Sequence, residues 1–261
     1  MCLLVFSFRQ NKSFPLVVAA NRDEFHARPT APATFWPDIP HLLAGKDLQL
    51  GGTWMGLTRQ GRFAAITNTR DPDDSGPAPR SRGELPLEYL KGTQTPSAFL
   101  SALQPRAHQY AGFNLLVGGL DELWYFSNAG LKTEYTPKSL SPGLYGLSNA
   151  RLDTPWPKVL MGKQKMTALL KAAEMTHDNL ATLVEDRSLV KTTDLQRLGL
   201  TGEMEYQLSS QFIVTPRYGT RSSTTMWITD SGTAHWRETS YGPDGLEVGR
   251  LPHDIELGAD E

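Results

Sequence analysis

The residue with the clearest nucleophilic chemistry is Cys2, the one cysteine in the 261-residue chain. It begins the apolar, β-favouring run CLLVFSF, where a free cysteine is most often a small buried hydrophobe. If Met1 is removed, which the small side chain at position 2 permits, Cys2 carries a nucleophile and a base in one residue. Its α-amine then titrates at about pH 7.7 and can accept the thiol proton. The sequence thus offers two readings of Cys2, an N-terminal nucleophile or a packing residue in a strand.

A second polar cluster, NRDE, comprises residues 21–24 and directly follows the apolar run LVVAA. The runs CLLVFSF and LVVAA flank a polar stretch that ends in proline, so we predict that they pair as a hairpin and that NRDE lies where the second strand ends. In that hairpin Arg22 and Asp23 lie within reach of Cys2. An arginine there would favour the thiolate, and an aspartate could hold an ammonium group. The alternative is a turn followed by a solvated charge pair.

The elements that must position these residues are strands at both ends of the chain and helices between them. Helical spacing of apolar residues is present in GELPLEYLKG, TPSAFLSALQP, KVLMGKQKMTALLKAAEM and THDNLATLVED. Further strands are predicted in GGTWMGLTRQGRFAAITN, FNLLVGG, ELWYFSN, QFIVTP, STTMWITD and TAHWRET. This order predicts an α+β fold with mainly antiparallel sheet. No low-complexity linker divides the chain, so we expect one domain over residues 1–261.

Composition excludes several classes of function. The net charge is −2, with Lys and Arg spread along the chain, which predicts no nucleic-acid partner and no polybasic membrane patch. A single cysteine excludes an internal disulfide, and the N-terminal apolar run is too short for a signal peptide or membrane span, so we expect a cytoplasmic protein. None of the six histidines has metal-ligand spacing to another, so we expect no metal and no required cofactor.

The segment TRDPDDSGPAPRSRG is rich in Pro, Gly and Asp and is long for a plain connection. Such a segment is either a binding loop or a surface excursion, and the sequence leaves open whether residues 71–83 close over a ligand. The preceding GGTW is typical of a bulge or tight turn that packs an aromatic side chain.

Seven stretches in order resemble one known family: MCLL, PLVVAANRDEF, GGTWMG, FAAITNTRDP, GFNLLVG, YGLSNARLDTPWPK and YGTRSST. They are similar to the NRDE family, also called the transport and Golgi organisation protein 2 family. The resemblance implies the four-layer αββα sandwich of N-terminal-nucleophile hydrolases, whose cysteine members include penicillin V acylases and bile salt hydrolases. Members of the family have been linked to haem movement, to acyl-CoA and lipid homeostasis, and to secretory organisation.

The resemblance also implies roles for individual residues. Cys2 matches the nucleophile, and Arg22 and Asp23 resemble an arginine and an aspartate that are not adjacent in the cysteine acylases. Since neighbouring strand residues point to opposite faces, adjacency puts one of those two roles in question. The remaining catalytic candidates are the two oxyanion amides and a distal arginine: Asn68, Asn149 and Arg221. Three further residues flank these clusters and are predicted to contact substrate: Asn21, Trp54 and Arg70.

Two functions follow as hypotheses. In the first, the protein hydrolyses a C–N amide bond in a small acylated substrate by means of Cys2. In the second, it is a non-catalytic binding or trafficking protein that holds haem or an acyl-CoA-like ligand in the same pocket.

Overall fold

Two antiparallel sheets form the centre of the computed structural model, which describes residues 2–69, 78–130, 136–197 and 202–258. The six strands of sheet A, in spatial order, are β10 (Gly143–Leu147), β1 (Cys2–Phe8), β2 (Leu16–Phe25), β11 (Tyr218–Ile228), β12 (Thr233–Tyr241) and β13 (Glu247–Glu256). The seven strands of sheet B follow chain order: β3 (Thr30–Trp36), β4 (Ile39–Asp47), β5 (Met55–Thr58), β6 (Phe63–Asn68), β7 (Phe113–Gly118), β8 (Leu123–Ser127) and β9 (Lys138–Ser139). The helices are α1 (Glu84–Lys91), α2 (Pro96–Leu103), α3 (Pro157–Ala172), α4 (His177–Ala181), α5 (Thr192–Arg197) and α6 (Glu203–Gln207), with a 3₁₀ helix at Gln104–Gln109.

The period-two alternation of the strands separates the core into three apolar layers. Alternate residues of β1, such as Leu4 and Phe6, pack against sheet B. The residues between them, such as Leu3 and Val5, pack with Val159 of α3 and the α4 region. The other face of sheet B packs against α1 and α2. The layers are therefore helix, sheet, sheet and helix, which confirms the α+β class and the four-layer αββα architecture.

The predicted first hairpin is confirmed, and its register places Cys2 directly opposite Arg22. The position given to NRDE at the end of the second strand is wrong, because β2 continues through these residues to Phe25. The reason is that β11 pairs with β2 along its whole length on the side away from β1. A strand with partners on both sides has its backbone polar groups satisfied, so polar side chains do not end it.

Most other predicted elements are present within a few residues of their predicted bounds, and Thr95 caps α2 by accepting from the backbone N of Ala98. QFIVTP is not a strand: it makes one isolated bridge to β11, between Val214 and Gly219, and Phe212 N bonds instead to Asp186 O in a loop at 2.9 Å. THDNLATLVED contains only the short helix α4. Strands β3, β4, β9, β10 and β13 and helices α5 and α6 were not predicted. Among the described residues, no helix combines the length and apolarity needed to cross a membrane.

Candidate active site

A cleft of about 450 Å³ opens where the ends of β1 and β2 meet sheet B. Sheet A contributes Cys2, Arg22 and Asp23 to its lining, and sheet B contributes Asn68, the last residue of β6. Trp54, which precedes β5, completes the wall between them. The cleft thus brings five of the nine residues predicted for the site to one place.

Cys2 is partly buried at the start of β1. Burial raises the pKa of its thiol, and the charge of Asp23 raises it further. The backbone N–H of Asp23 donates to the sulfur and, with Arg22, lowers the thiol pKa. Because burial is the largest effect, the resting thiol is protonated and must lose its proton to a base before it can act as a nucleophile.

Arg22 faces the space between the sheets and is only 7% exposed. Its guanidinium lies 4.3 Å from the centre of the Trp54 ring, a cation–π geometry that joins sheet A to sheet B. Glu24 lies 3.7 Å from Nη2, whereas Nη1 has no hydrogen-bond partner among the described residues. Burial lowers the pKa of Arg22, yet an arginine stays charged at any physiological pH. The site therefore contains a fixed positive charge next to the Cys2 sulfur.

Asp23 points to the opposite face of β2, as adjacency to Arg22 requires. Its carboxylate accepts a hydrogen bond from Thr220 Oγ1 at 2.7 Å, and its backbone carbonyl accepts one from the Tyr218 hydroxyl at 2.8 Å. Burial raises the pKa of Asp23, while Lys158 of α3 and the Thr220 hydroxyl lower it. Arg22 and Asp23 point to opposite faces of β2, and both line the cleft because this part of the strand lies at its edge.

The two predicted oxyanion amides are joined to each other. Asn149 Nδ2 donates to the backbone O of Asn68 at 3.0 Å and to its Oδ1 at 2.7 Å. A backbone carbonyl only accepts, so the Asn149 group that faces it must be the NH₂. The Asn68 side-chain atom that faces the same NH₂ must then be Oδ1. Asn149 thereby fixes the Asn68 amide with Nδ2 as its remaining donor, and of the two residues only Asn68 lines the cleft.

The wall opposite sheet A is formed by residues 78–83, the described part of the proline-rich segment. Gly83 and Gly52 bring two backbones together there: Thr53 N donates to Gly83 O at 2.9 Å, and a Cβ on Gly52 would lie 2.4 Å from the Gly83 carbonyl carbon. Only glycine fits at position 52. The GGTW motif is therefore a close backbone approach that also positions Trp54, in keeping with the predicted tight packing.

At the mouth of the cleft, Arg28 donates to both carboxylate oxygens of Asp47, at 3.1 and 2.6 Å. Phe25 and Leu50 also line the mouth, with 59% and 58% of their surfaces exposed. The opening thus combines paired charges with exposed apolar surface.

The other predicted site residues lie elsewhere. Asn21 is 2% exposed, and its amide binds the backbone carbonyls of Val184 and Gln211, at 2.6 and 2.9 Å, so it ties β2 to the helical layer. Arg221 donates through Nη1 to the carbonyls of Phe25, His26 and Arg28 and holds the turn after β2. Neither is in the lining of the cleft. Arg70 lies outside the described residues.

Sequence reasoning missed two residues that support Asp23. Thr220 lies within the YGTRSST motif, and Lys158, which is 2% exposed, ends the YGLSNARLDTPWPK motif. Both motifs had been noted for their neighbours Arg221 and Asn149. A buried lysine is rare without a charged partner, but burial cannot be read from a residue that begins an amphipathic helix.

The family model and two relatives that match this sequence point to one family. The sequence matches the family model described as Transport and Golgi organisation 2 over residues 1–243. It is 33% identical to the Bos taurus Transport and Golgi organization protein 2 homolog, over 98% of this chain and 99% of the bovine protein. It is also 33% identical to the Homo sapiens homolog, over 92% and 93% of the two chains.

Among solved structures, the Caenorhabditis elegans N-acylethanolamine-hydrolyzing acid amidase ortholog is similar over 88% of this chain and 93% of that chain, with 10% identity and a TM-score of 0.49. So distant a likeness carries no argument about chemistry, which depends on this chain's own residues. The family match and the two relatives do establish kinship: the chain belongs to the Transport and Golgi organisation 2 family.

Proposed function

We propose that this protein is a cysteine amidohydrolase that cleaves a C–N amide bond in a small acylated substrate, with Cys2 as an N-terminal nucleophile. The observation that carries the proposal is the convergence of Cys2, Arg22, Asp23 and Asn68 on one cleft. A thiol, a fixed cation, a buried carboxyl and an amide donor are the groups that acyl transfer through a thioester requires.

Removal of Met1 supplies the base in this proposal. Cys2 lies opposite Arg22 in the hairpin register, so its amine is generated beside the buried carboxyl of Asp23. The free amine accepts the thiol proton, and Asp23 holds the resulting ammonium while Arg22 stabilises the thiolate.

The thiolate then attacks the amide carbonyl carbon, and the carbonyl electron pair moves to oxygen. Nδ2 of Asn68 donates to that oxyanion. Collapse of the intermediate breaks the C–N bond, and the leaving nitrogen takes the electron pair and the proton from the Cys2 ammonium. Water adds to the acyl thioester and gives one proton to the Cys2 amine. Collapse breaks the C–S bond and releases the carboxylic acid, and the leaving thiolate takes the proton back from the Cys2 ammonium.

The first test is the intact mass of the purified protein before and after alkylation with iodoacetamide at pH 7.5. Because the chain has one cysteine, a single adduct reports on Cys2 alone. Loss of Met1 with rapid formation of one adduct is expected. Retained Met1, or a thiol that reacts only after unfolding, would contradict the proposal.

The second test is hydrolysis of a panel of fluorogenic N-acyl amides with different chain lengths. Cys2→Ala is expected to abolish turnover without changing the circular dichroism spectrum. Asn128→Ala is the matched control, since Asn128 is buried behind β7 and β8 and does not line the cleft. Unchanged turnover in the Cys2→Ala variant would end the proposal.

Non-catalytic ligand binding is the second candidate, and the mouth of the cleft favours it. Exposed Phe25 and Leu50 suit the apolar part of an amphiphilic anion such as haem or an acyl-CoA, whose charged group would compete with carboxylates for Arg28 and Arg80. In this version titration gives stoichiometric binding that Cys2→Ala leaves intact, with no product formed. Absence of binding by both ligands would remove this candidate.

A further inference from the structure

A buried carboxyl lies between the two sheets. Glu238 of β12 is 2% exposed, and its Oε1 accepts a hydrogen bond from the backbone N of Ala33 in sheet B at 2.8 Å. Oε2 has no partner with hydrogen-bond geometry among the described residues. The mechanism above does not use this group. A buried carboxyl without a paired cation is costly to ionise, so its presence needs a reason.

Glu238 belongs to a polar row that crosses the inter-sheet face of sheet A. Cys2 pairs with Arg22, Arg22 pairs with Ser222, and Thr224 on the same strand pairs with Glu238. The Ser222 and Thr224 hydroxyls both act on the carboxyl and lower its pKa. The row therefore connects the nucleophile to the buried acid within one layer of the fold.

A cavity of about 20 Å³ lies along this row. It shares Cys2, Arg22, Trp54, Ile66 and Thr67 with the cleft and is also lined by Thr224. This volume holds one water molecule, and a buried water needs two to four polar partners. Thr224 and Arg22 both line the cavity, and Arg22 Nη1 is a buried donor with no partner among the described residues. One water would thus bridge the guanidinium and the hydroxyl that faces Glu238.

The groups around Glu238 make Arg22 its main charged neighbour. Burial raises the pKa of the carboxyl to about 7, and Arg22 lowers it. Strand β13 faces it with Leu251 and with His253, whose Nε2 lies 3.2 Å from the Ala33 carbonyl O. Strand β3 contributes the Ala33 peptide. Near neutral pH the carboxyl and the thiol therefore share the influence of one guanidinium.

We propose that Glu238 is a positioning residue whose protonation state controls how strongly Arg22 stabilises the Cys2 thiolate. Neutral Glu238, connected to Arg22 through Thr224 and one water molecule, leaves the guanidinium to stabilise the Cys2 thiolate. Ionised Glu238 competes for that charge and disfavours the thiolate. The inference rests on the proposed function in that Cys2 is the reactive group, and it predicts that ionisation of Glu238 lowers the fraction of Cys2 present as thiolate on the alkaline side.

The test is the rate of Cys2 alkylation by iodoacetamide from pH 5.5 to 9 in the wild type and in Glu238→Gln. Glutamine keeps the acceptor for Ala33 N but cannot ionise. The variant is expected to react about threefold to tenfold faster at pH 8, the effect of lowering a thiol pKa by ~0.5 to 1 unit, and within about twofold of wild type at pH 5.5. Glu247→Gln, which changes an exposed ion pair on β13, is the matched control and should follow the wild type.

Thr224→Val tests the connection. In that background the effect of Glu238→Gln is expected to fall below about twofold, as a double-mutant cycle requires for coupled groups. Superimposable profiles of folded wild type and Glu238→Gln would overturn the inference. So would a Cys2 that stays unmodified in the folded wild type, because a thiolate stabilised by Arg22 at an open cleft must react.

A second measurement does not depend on the thiol. The Glu238 carboxyl carbon, assigned by its absence from Glu238→Gln, is titrated by ¹³C NMR, and Arg22→Gln is expected to raise its pKa. An unchanged titration would overturn the inference. Failure of amide hydrolysis in all variants, wild type included, would instead remove the proposed function and leave both titrations standing.

Discussion

Replacing Glu238 by glutamine is expected to stabilise the protein above pH 7. The pKa of this carboxyl is about 7 in the fold against an ordinary value of 4.5. At about 1.36 kcal/mol per pKa unit, ionisation in the folded state costs about 3 kcal/mol. Between these two pH values the folded protein keeps a proton that the unfolded chain has released. The free energy of unfolding therefore falls as pH rises through this window and is flat above it.

The assay is urea denaturation followed by tryptophan fluorescence at half-unit steps from pH 4.5 to 8.5. The quantity of interest is the difference in free energy of unfolding between Glu238→Gln and the wild type, because other titrating groups cancel in it. This difference is expected to be small near pH 4.5 and to grow to about 3 kcal/mol in favour of the variant at pH 8. Glu247→Gln should show no such growth.

A difference that stays constant with pH would refute the reasoning, since it would mean that Glu238 ionises in the fold at its ordinary pKa. A difference that grows in favour of the wild type would refute it more strongly. That result would require the ionised carboxylate to gain from Arg22 more than it loses by burial.

Two further predictions concern the cleft. Asn149→Ala should release the Asn68 amide and lower kcat by about tenfold to a hundredfold with little change in KM. Steady-state kinetics on the best amide substrate would check this. An equal effect of Asn128→Ala, a buried asparagine away from the cleft, would assign the loss to general destabilisation. Gly45→Ala should displace Trp54, because the added Cβ would lie 2.2 Å from the indole ring. The expected result is a shifted tryptophan emission spectrum together with slower alkylation of Cys2. An unchanged emission spectrum would contradict this prediction.

The hairpin that carries Cys2 could be predicted from the sequence because its information is local. Two apolar runs and a polar turn ending in Pro15 define the strand pair, and pairing alone places Arg22 opposite Cys2. The extension of β2 through NRDE could not be predicted, since it depends on β11, which lies about two hundred residues later in the chain. In the sequence alone, polar residues that continue a central strand resemble a turn, because the second strand that pairs with them is not yet known.

Strand β13 shows a different limit. Its sequence EVGRLPHDIE is mostly exposed and contains Pro252, so it lacks the apolar alternation that marks a strand. These are features of a protected sheet edge, where charges and proline prevent pairing with other chains. QFIVTP shows the opposite error: Phe212 and Ile213 are buried as a strand pattern suggests, but Phe212 N bonds to the loop residue Asp186 and Ile213 bonds only to Thr220 of β11, so no ladder forms.

The site residues divide in the same way. Asn68 and Asn149 were singled out through the family resemblance, yet their different roles depend on one contact between β6 and the segment after β10. Glu238 was not singled out, because a glutamate is rarely buried; the alternation in TAHWRET nevertheless places it on the same inward face as Ala234 and Trp236. Only the stacking of sheet B on sheet A makes it buried.

The contact between Gly52 and Gly83 limits how the family can vary the shape of its cleft. Along that wall two backbones are in contact, and a side chain at position 52 would collide with the Gly83 carbonyl group, whereas a Cβ at position 83 would lie 3.3 Å from the Thr53 carbonyl O. Variation in cleft shape among relatives should therefore accumulate at side chains of the mouth, such as Leu50 and Phe25, while Gly52 remains fixed. A library designed to alter selectivity should randomise the mouth and leave Gly52 unchanged.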